Sequence, residues 1–244
     1  MKRRFDPAVL EMMDRPQPDS AELEPDLKRI RQLNRWFGSY RLITHFVRRW
    51  IKSATADSSR GEPGARIRIV DFATGSGDIP RLIVDHARSI GTRVEIDALD
   101  RQAATLEIAR KLSADYPEIS YREANILEWD PGKVYDIVLC SLVLHHFSDE
   151  DAVRVLRRCR ELSRQFVLVS DLRRGLFLTT GVYLLTALVF RELMTRYDAR
   201  LSAARAFSFA EFRELARKAG WKNFGHKKFR FARQAIWLER IDNR

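Results

Sequence analysis

The ten residues Ile69-Val-Asp-Phe-Ala-Thr-Gly-Ser-Gly-Asp78 constrain the fold more than any other part of the chain. Ile67, Ile69, Val70 and Phe72 are β-branched or aromatic, as a strand buried inside a parallel sheet requires. Gly75 and Gly77 permit a tight turn and let a ligand approach the backbone with no Cβ in the way. Asp78 is a good N-cap and Pro80 suits a first helical turn, so a helix is expected to start here. The spacing is acidic-x-Ala-x-Gly-x-Gly, which differs from the G-x-G-x-x-G of dinucleotide-binding turns.

The next hundred residues repeat the strand-then-polar-end theme. Val94 to Asp100 reads as a second strand ending in an acid 23 positions beyond Gly77. Ser120 to Ala124 reads as a short third strand that ends at Asn125-Ile126, and Tyr135-Asp-Ile-Val-Leu-Cys-Ser141 as a fourth, running into Leu142-Val-Leu-His-His-Phe147. This order and spacing, over about residues 66 to 171, resembles the class I S-adenosylmethionine (SAM)-dependent methyltransferases. Ala73 stands where that family often has its first glycine, and Asn125 where it often has Asp. The resemblance implies that Asp71, Ala73, Gly75, Gly77, Asp78, Asp100, Arg101, Asn125, Ile126 and Cys140 surround SAM. A carboxylate at Asp100 can accept hydrogen bonds from both ribose hydroxyls. Asn125 is suited to the adenine amino group and the Ile126 amide to a ring nitrogen.

The expected fold is α/β and Rossmann-like: a mostly parallel seven-stranded sheet with an antiparallel C-terminal hairpin. Helices are expected at 79–90, 102–114 and 150–163, strands at 94–100, 120–124, 135–141 and 166–170. Ser208-Phe-Ala-Glu211 reads as a capping box opening a helix that ends near Gly220, and 223–231 with 233–240 as the closing hairpin. Residues 1–65 read as a separate N-terminal arm and helical cover: an irregular, Pro- and acid-rich stretch to residue 25, amphipathic helices at Leu27–Trp36 and Leu42–Ile51, and a linker at 53–65. Residues 66–244 form the expected SAM-binding domain, with a substrate-side helical insert at about 175–207.

Composition bounds the class. A chain of 244 residues can bury one large core. Cys140 and Cys159 are too few for a disulfide framework, and there is no signal-peptide pattern, so a cytoplasmic protein is expected. The net charge of +11 suits nucleic acid or an anionic membrane, or simply arginine-rich solvated faces. The run 175–190 carries no charge, yet is shorter than the roughly 20 apolar residues a spanning helix needs. It reads as a buried core helix or as an apolar lid over an acceptor site that also touches a membrane.

Methyl transfer by in-line displacement needs donor and acceptor held at attack distance, and a phenolic acceptor must lose its proton to a nearby base. Candidates at the carboxyl ends of the strands are His145, His146 and Asp171, with Asp198 from the insert. His145 and His146 are adjacent, so their side chains are expected to diverge and not to share a metal. The fourth strand ends without an acid, so no metal ligands and a metal-independent reaction are expected. The segments Phe72–Pro80, the His-His loop, Asp171–Arg174, Asn34–Gly38 and Asp198…Phe207 resemble the branch near the ubiquinone and menaquinone biosynthetic methyltransferases and bacterial phenolic-polyketide methyltransferases. That implies a transferase of secondary metabolism acting on a small, lipophilic aromatic hydroxyl compound of phenolic, polyketide or quinone type. Tyr40 and Arg41 are placed to reach the SAM carboxylate from the cover. C-methylation of a quinone precursor, RNA methylation and a non-catalytic SAM-binding subunit remain as alternatives. The loop Ser141–His146 lacks the Asn/Asp-Pro-Pro-aromatic pattern, which disfavours nucleic acid. Peripheral membrane contact and oligomerisation stay open.

Overall fold

The computed structural model describes residues 2–15, 20–56, 66–188 and 193–239. An extended arm carries one 3-10 turn (Met12–Asp14) and leads to α1 (Ser20–Trp36) and α2 (Ser39–Ala56). Then come β1 (Ile67–Phe72), α3 (Asp78–Ser89), β2 (Val94–Asp100), α4 (Ala103–Leu112), β3 (Ile119–Glu123), β4 (Tyr135–Ser141), α5 (Asp149–Leu162) and β5 (Ser163–Leu172). The insert forms α6 (Leu176–Leu188) and α7 (Leu193–Arg205), and α8 (Phe209–Lys218), β6 (Gly225–Phe229) and β7 (Arg233–Glu239) close the chain. Most of the expected linker at 53–65 lies outside the described residues, as do 189–190 of the uncharged run and residue 240 of the hairpin.

The seven strands lie in the order β3-β2-β1-β4-β5-β7-β6. The first five are parallel, with Ile69 of β1 opposite both Ile96 of β2 and Ile137 of β4. β7 inserts between β5 and β6 and runs antiparallel to both. The order reverses between β1 and β4, and open α/β sheets bind ligands at the carboxyl ends of strands flanking such a point. β4 is buried at all seven positions and β1 at five of six, matching sequences dominated by apolar residues.

Two cores sandwich the sheet. Val155, Leu156 and Cys159 of α5 with Phe212 and Leu215 of α8 cover one face. Ile43, Val47, Trp50 and Ile51 of α2 with Ile83 and Val84 of α3 cover the other. Trp50 stacks on Phe166 at 5.0 Å between centroids and donates Nε1–H to Glu239. α2 is thereby a component of the core. Ser208 and Glu211 form the expected reciprocal capping box. At α3 the cap position is held by Gly77, with φ +74°, and Asp78 is the first helical residue.

Among the described residues no helix is long and apolar enough to cross a membrane. α6 is a lid and not a core helix: Leu178 is buried, while Leu176, Phe177 and Leu184 are more than half exposed.

Truncating Trp50 to Ala removes a buried indole and its stacking partner, and large aromatic truncations of this kind cost about 3–5 kcal/mol. Trp36→Ala, at a site 58% exposed, is expected to stay within about 0.5 kcal/mol of the parent. Urea denaturation of the two variants measures the contrast. Equal midpoints would show that α2 is not part of the core.

Candidate active site

A cavity of about 960 Å³ opens where β1, β2, β4 and β5 end, roofed by the arm, α1, α6 and α7. That is the upper end of the usual size for small-molecule sites. Its two ends differ in character. The sheet end is lined by Ala73, Gly75, Ser76, Asp78, Asp100, Arg101, Asn125 and Ile126. The roof is apolar, with Leu27, Ile30, Leu33, Phe37, Leu178 and Leu185.

The sheet end is shaped by the turn after β1. Gly75 has φ +56°. A Cβ on Gly77 would stand 2.1 Å from the Tyr121 hydroxyl, so glycine is required there twice over. Ala73 adopts φ +53°, a left-handed conformation that costs an L-residue roughly 1–2 kcal/mol, and it lines the cavity. Asp100 accepts the Gly75 amide at 2.9 Å and the Gln102 amide at 3.0 Å, and burial holds its carboxyl above the usual range. Asp78 accepts from Tyr40 Oη at 2.8 Å and from Arg81 at 2.6 Å. Asn125 Oδ1 accepts the Leu127 amide at 3.1 Å.

Three of the expected cofactor residues do not line this cavity. Gly77 faces Tyr121. Cys140 is wholly buried within β4, where the neighbouring Cys159 thiol and burial push its thiol well up. Asp71 is likewise buried beneath the turn, accepting from Thr74 Oγ1 at 2.8 Å, and its Oδ1 has no hydrogen-bond partner among the described residues. Burial raises its carboxyl to about 7. These residues set the backbone from below. Arg41, expected beside Tyr40, is exposed and off the cavity lining, as are Trp36 and Tyr183.

The roof end holds the titratable groups. Asp171 is fully buried in β5 and accepts the His145 amide at 2.9 Å, His145 Nδ1–H at 2.7 Å and the Leu172 amide at 2.7 Å. It orients His145 and does not itself face the cavity. His146 Nδ1 is 2.7 Å from Asp14 Oδ2, and its Nε2 is 3.8 Å from Glu11 Oε1. Burial alone would lower the His146 pKa, but Glu11 and Asp14 outweigh it and raise it to about 9. Asp198 accepts the Met12 and Met13 amides at 2.6 and 3.1 Å, and burial with the nearby Glu11 charge lifts its pKa to about 7.

The two histidines do not diverge. They sit in a 3-10 turn, Leu144–His146, where successive side chains are about 120° apart. Asp171 and Asp14 draw the rings together, to 4.4 Å between centroids. Glu11 and Asp14 are the residues that sequence reasoning missed. The signal available was two carboxylates set among apolar residues, Val9-Leu-Glu-Met-Met-Asp14, in a stretch otherwise read as irregular. Arg3 ties the arm down, donating to the backbone oxygens of His145, Phe147 and Arg205.

Comparison with known proteins bears on the family and the fold. Residues 69–165 match the family model described as a methyltransferase domain. Over 98 residues the chain is 33% identical to the demethylmenaquinone methyltransferase of Thermotoga maritima, a match covering 40% of this chain and 39% of that relative's length. Among solved structures, the plantazolicin methyltransferase BpumL superposes with a TM-score of 0.57 at 12% identity, covering 90% of this chain and 97% of that one. The DszA carbon methyltransferase gives 0.56 at 18% identity, covering 80% and 53%. A structure described as a putative O-methyltransferase from Nostoc punctiforme gives 0.55 at 19%, covering 78% and 60%. At these identities the structures establish the shared fold.

Asp71 makes stability pH-dependent in a definite direction. Its folded pKa of about 7 lies above the unfolded value near 3.9. Below about pH 4 both states hold the proton; between about 4 and 7 only the folded state does, so stability falls as pH rises and levels off above 7. Asp71→Asn is expected to reduce that fall, leaving the parts due to Asp78, Asp100 and Asp198, whose carboxyls are also raised. Thermal melts from pH 4 to 8 measure it; an unchanged slope would mean Asp71 is ionised in the folded protein.

Proposed function

Residues 69–165 form a methyltransferase domain of the class I, SAM-dependent family, and from that premise we propose that the protein moves the SAM methyl group to the hydroxyl of a small aromatic acceptor with an apolar substituent. The observation that carries this reading is a single cavity with a turn-and-carboxylate end, an apolar roof, and a fixed imidazole between them. SAM lies along the sheet end, its ribose hydroxyls on Asp100, its adenine at Asn125 and Ile126, and its amino-acid end toward Ala73, Gly75 and the Asp78–Tyr40 pair. The acceptor lies under α1 and α6, with its hydroxyl toward His145.

His145 is the base. Asp171 takes its Nδ1–H, which leaves the Nε2 lone pair as the proton acceptor. His146 is the weaker candidate, because a group with a pKa raised to about 9 is already protonated at neutral pH. In the transfer the acceptor oxygen forms a bond to the methyl carbon as the carbon–sulfur bond breaks. The hydroxyl proton passes to His145 and S-adenosylhomocysteine leaves. The exposed apolar side of α6 is the natural place for a lipophilic substituent to enter, and peripheral contact with a bilayer there is part of the same proposal.

A second reading has support of its own. The Thermotoga maritima relative and DszA are named for carbon methylation or for a quinone precursor, so C-methylation of an ionised ring fits the same cavity. The alignment with the relative spans about two fifths of either chain, so the relative's acceptor is not carried over to this one.

Asp100→Ala is expected to weaken SAM binding by about 1–3 kcal/mol, the cost of leaving buried donors unpaired. Calorimetry with SAM tests this, and unchanged affinity would remove Asp100 from the cofactor site. His145→Ala is expected to lose about 10²–10⁴ in kcat with SAM affinity intact. Parental kcat in that variant would end the O-methylation reading in favour of C-methylation. A kcat that instead climbs through about pH 9 and is lost in His146→Ala would move the base to His146.

A further inference from the structure

We infer that Glu11, His145 and His146 form a binding site for one divalent transition-metal ion of the zinc type. One donor atom from each of the three lies within 4.8 Å of the other two. The group comes from two parts of the chain, the arm and the turn after β4, and it lines the cavity.

Three features mark it as a built site. First, both imidazoles are oriented through the nitrogen that would not bind the ion: Nδ1 of His145 is held by Asp171 and Nδ1 of His146 by Asp14, each at 2.7 Å. The Nε2 of each ring is thereby the atom left to face an ion, His146 giving up its proton when the ion binds, and the carboxylate–histidine arrangement is the usual outer support of a metal-bound imidazole. Second, two imidazole nitrogens and one carboxylate are the donor set of an open zinc site, in which the fourth position is left for water or substrate. Calcium and magnesium prefer oxygen donors throughout. Third, the wall is rich in buried carboxylates, since Glu11 is 2% exposed and Asp198 and Asp171 are 4% and 0% exposed.

The present spacing is wider than a bound ion would impose, because tetrahedral bonds of 2.0–2.1 Å put ligands about 3.4 Å apart. His146 Nε2 and Glu11 Oε1 are already at 3.8 Å. An ion there would occupy His145 Nε2, so the ion-bound form would ionise the acceptor by taking its oxygen as fourth ligand, in place of the imidazole base that serves the ion-free form. The metal-free site expected from the sequence rested on the bare end of β4 and could not include a ligand from residue 11.

The inference concerns the same cavity wall to which proton removal is assigned above, so its test reads binding and not turnover. Chelator-treated protein without a polyhistidine tag is titrated with Zn²⁺ by calorimetry and with Co²⁺ by visible absorbance. The expected result is one ion per chain, with the intense visible bands of a four-coordinate Co²⁺ centre. Glu11→Gln and His146→Gln should each weaken binding more than tenfold, and Asp14→Asn 10- to 100-fold through loss of outer support. Circular dichroism establishes that each variant is folded. Absence of saturable binding in the folded parent, or binding that persists undiminished in both Glu11→Gln and His146→Gln, overturns the site. Either outcome leaves the methyltransferase reading standing, whereas loss of SAM binding in the parent would remove that reading and leave the metal site to its own test.

Discussion

Burying a carboxyl group is costly unless hydrogen bonds compensate, and Asp171, with no solvent exposure, has three N–H donors to do so. Two of the three belong to His145, one from its backbone and one from its ring. The charge at the end of β5 therefore fixes both where the turn after β4 runs and which nitrogen of the imidazole faces the cavity. The same pattern recurs at the other strand ends. Asp100 holds the Gly75 amide, Asp71 holds the Thr74 hydroxyl, and Asp78 gathers Tyr40 and Arg81. Each is a wholly or partly buried acid whose hydrogen bonds define a local stretch of the chain, and the cavity is the space these stretches enclose.

The parts of this arrangement that could be read from the sequence are those written locally. β1, β2 and β4 follow from short stretches rich in β-branched and other apolar residues, the turn from Gly75 and Gly77, and α8 from Ser208 and Glu211. Their positions shift by no more than a residue or two, since turn chemistry and hydrophobic runs act over a few residues. What was not legible depends on residues far apart in the chain. Glu11 and Asp14 reach the site only because Asp198 takes the Met12 and Met13 amides and Arg3 grips the turn after β4. Nothing local announces a strand-like arm as part of a cavity wall. The convergence of His145 and His146 escaped for a related reason, since an adjacent pair diverges in extended chain and converges in a 3-10 turn.

The two ends of the cavity are held by different means. At the sheet end, rigid strands and a glycine turn leave little freedom, and one residue, Ala73, sits in a conformation that alanine seldom adopts. The roof is made of helices and an arm held by individual hydrogen bonds and by apolar side chains, several of them facing outward. Such regions open at lower free energy than the strands they cover. A common donor bound at the rigid end and a variable acceptor at the adaptable end is a division of labour consistent with methyltransferases that share this fold and carry different names.

The long reach of the arm bears on how the molecule comes into being. Ser202 Oγ donates to Glu11 across 191 positions, Asp198 caps residues 186 and 185 positions earlier, and Asp14 meets His146 across 132. Contacts that distant in sequence form slowly, because the chain between them must first be ordered. During synthesis the arm, first to emerge, can meet the turn after β4 through Arg3 and Asp14 once β1 to β5 have assembled, while Glu11 and the Met12 and Met13 amides still wait for α7. Only when α7 has emerged is the roof complete, so a chain ending before it would carry a half-open site whose arm lacks Asp198 and Ser202. Chemical competence is in this sense the last property the chain acquires.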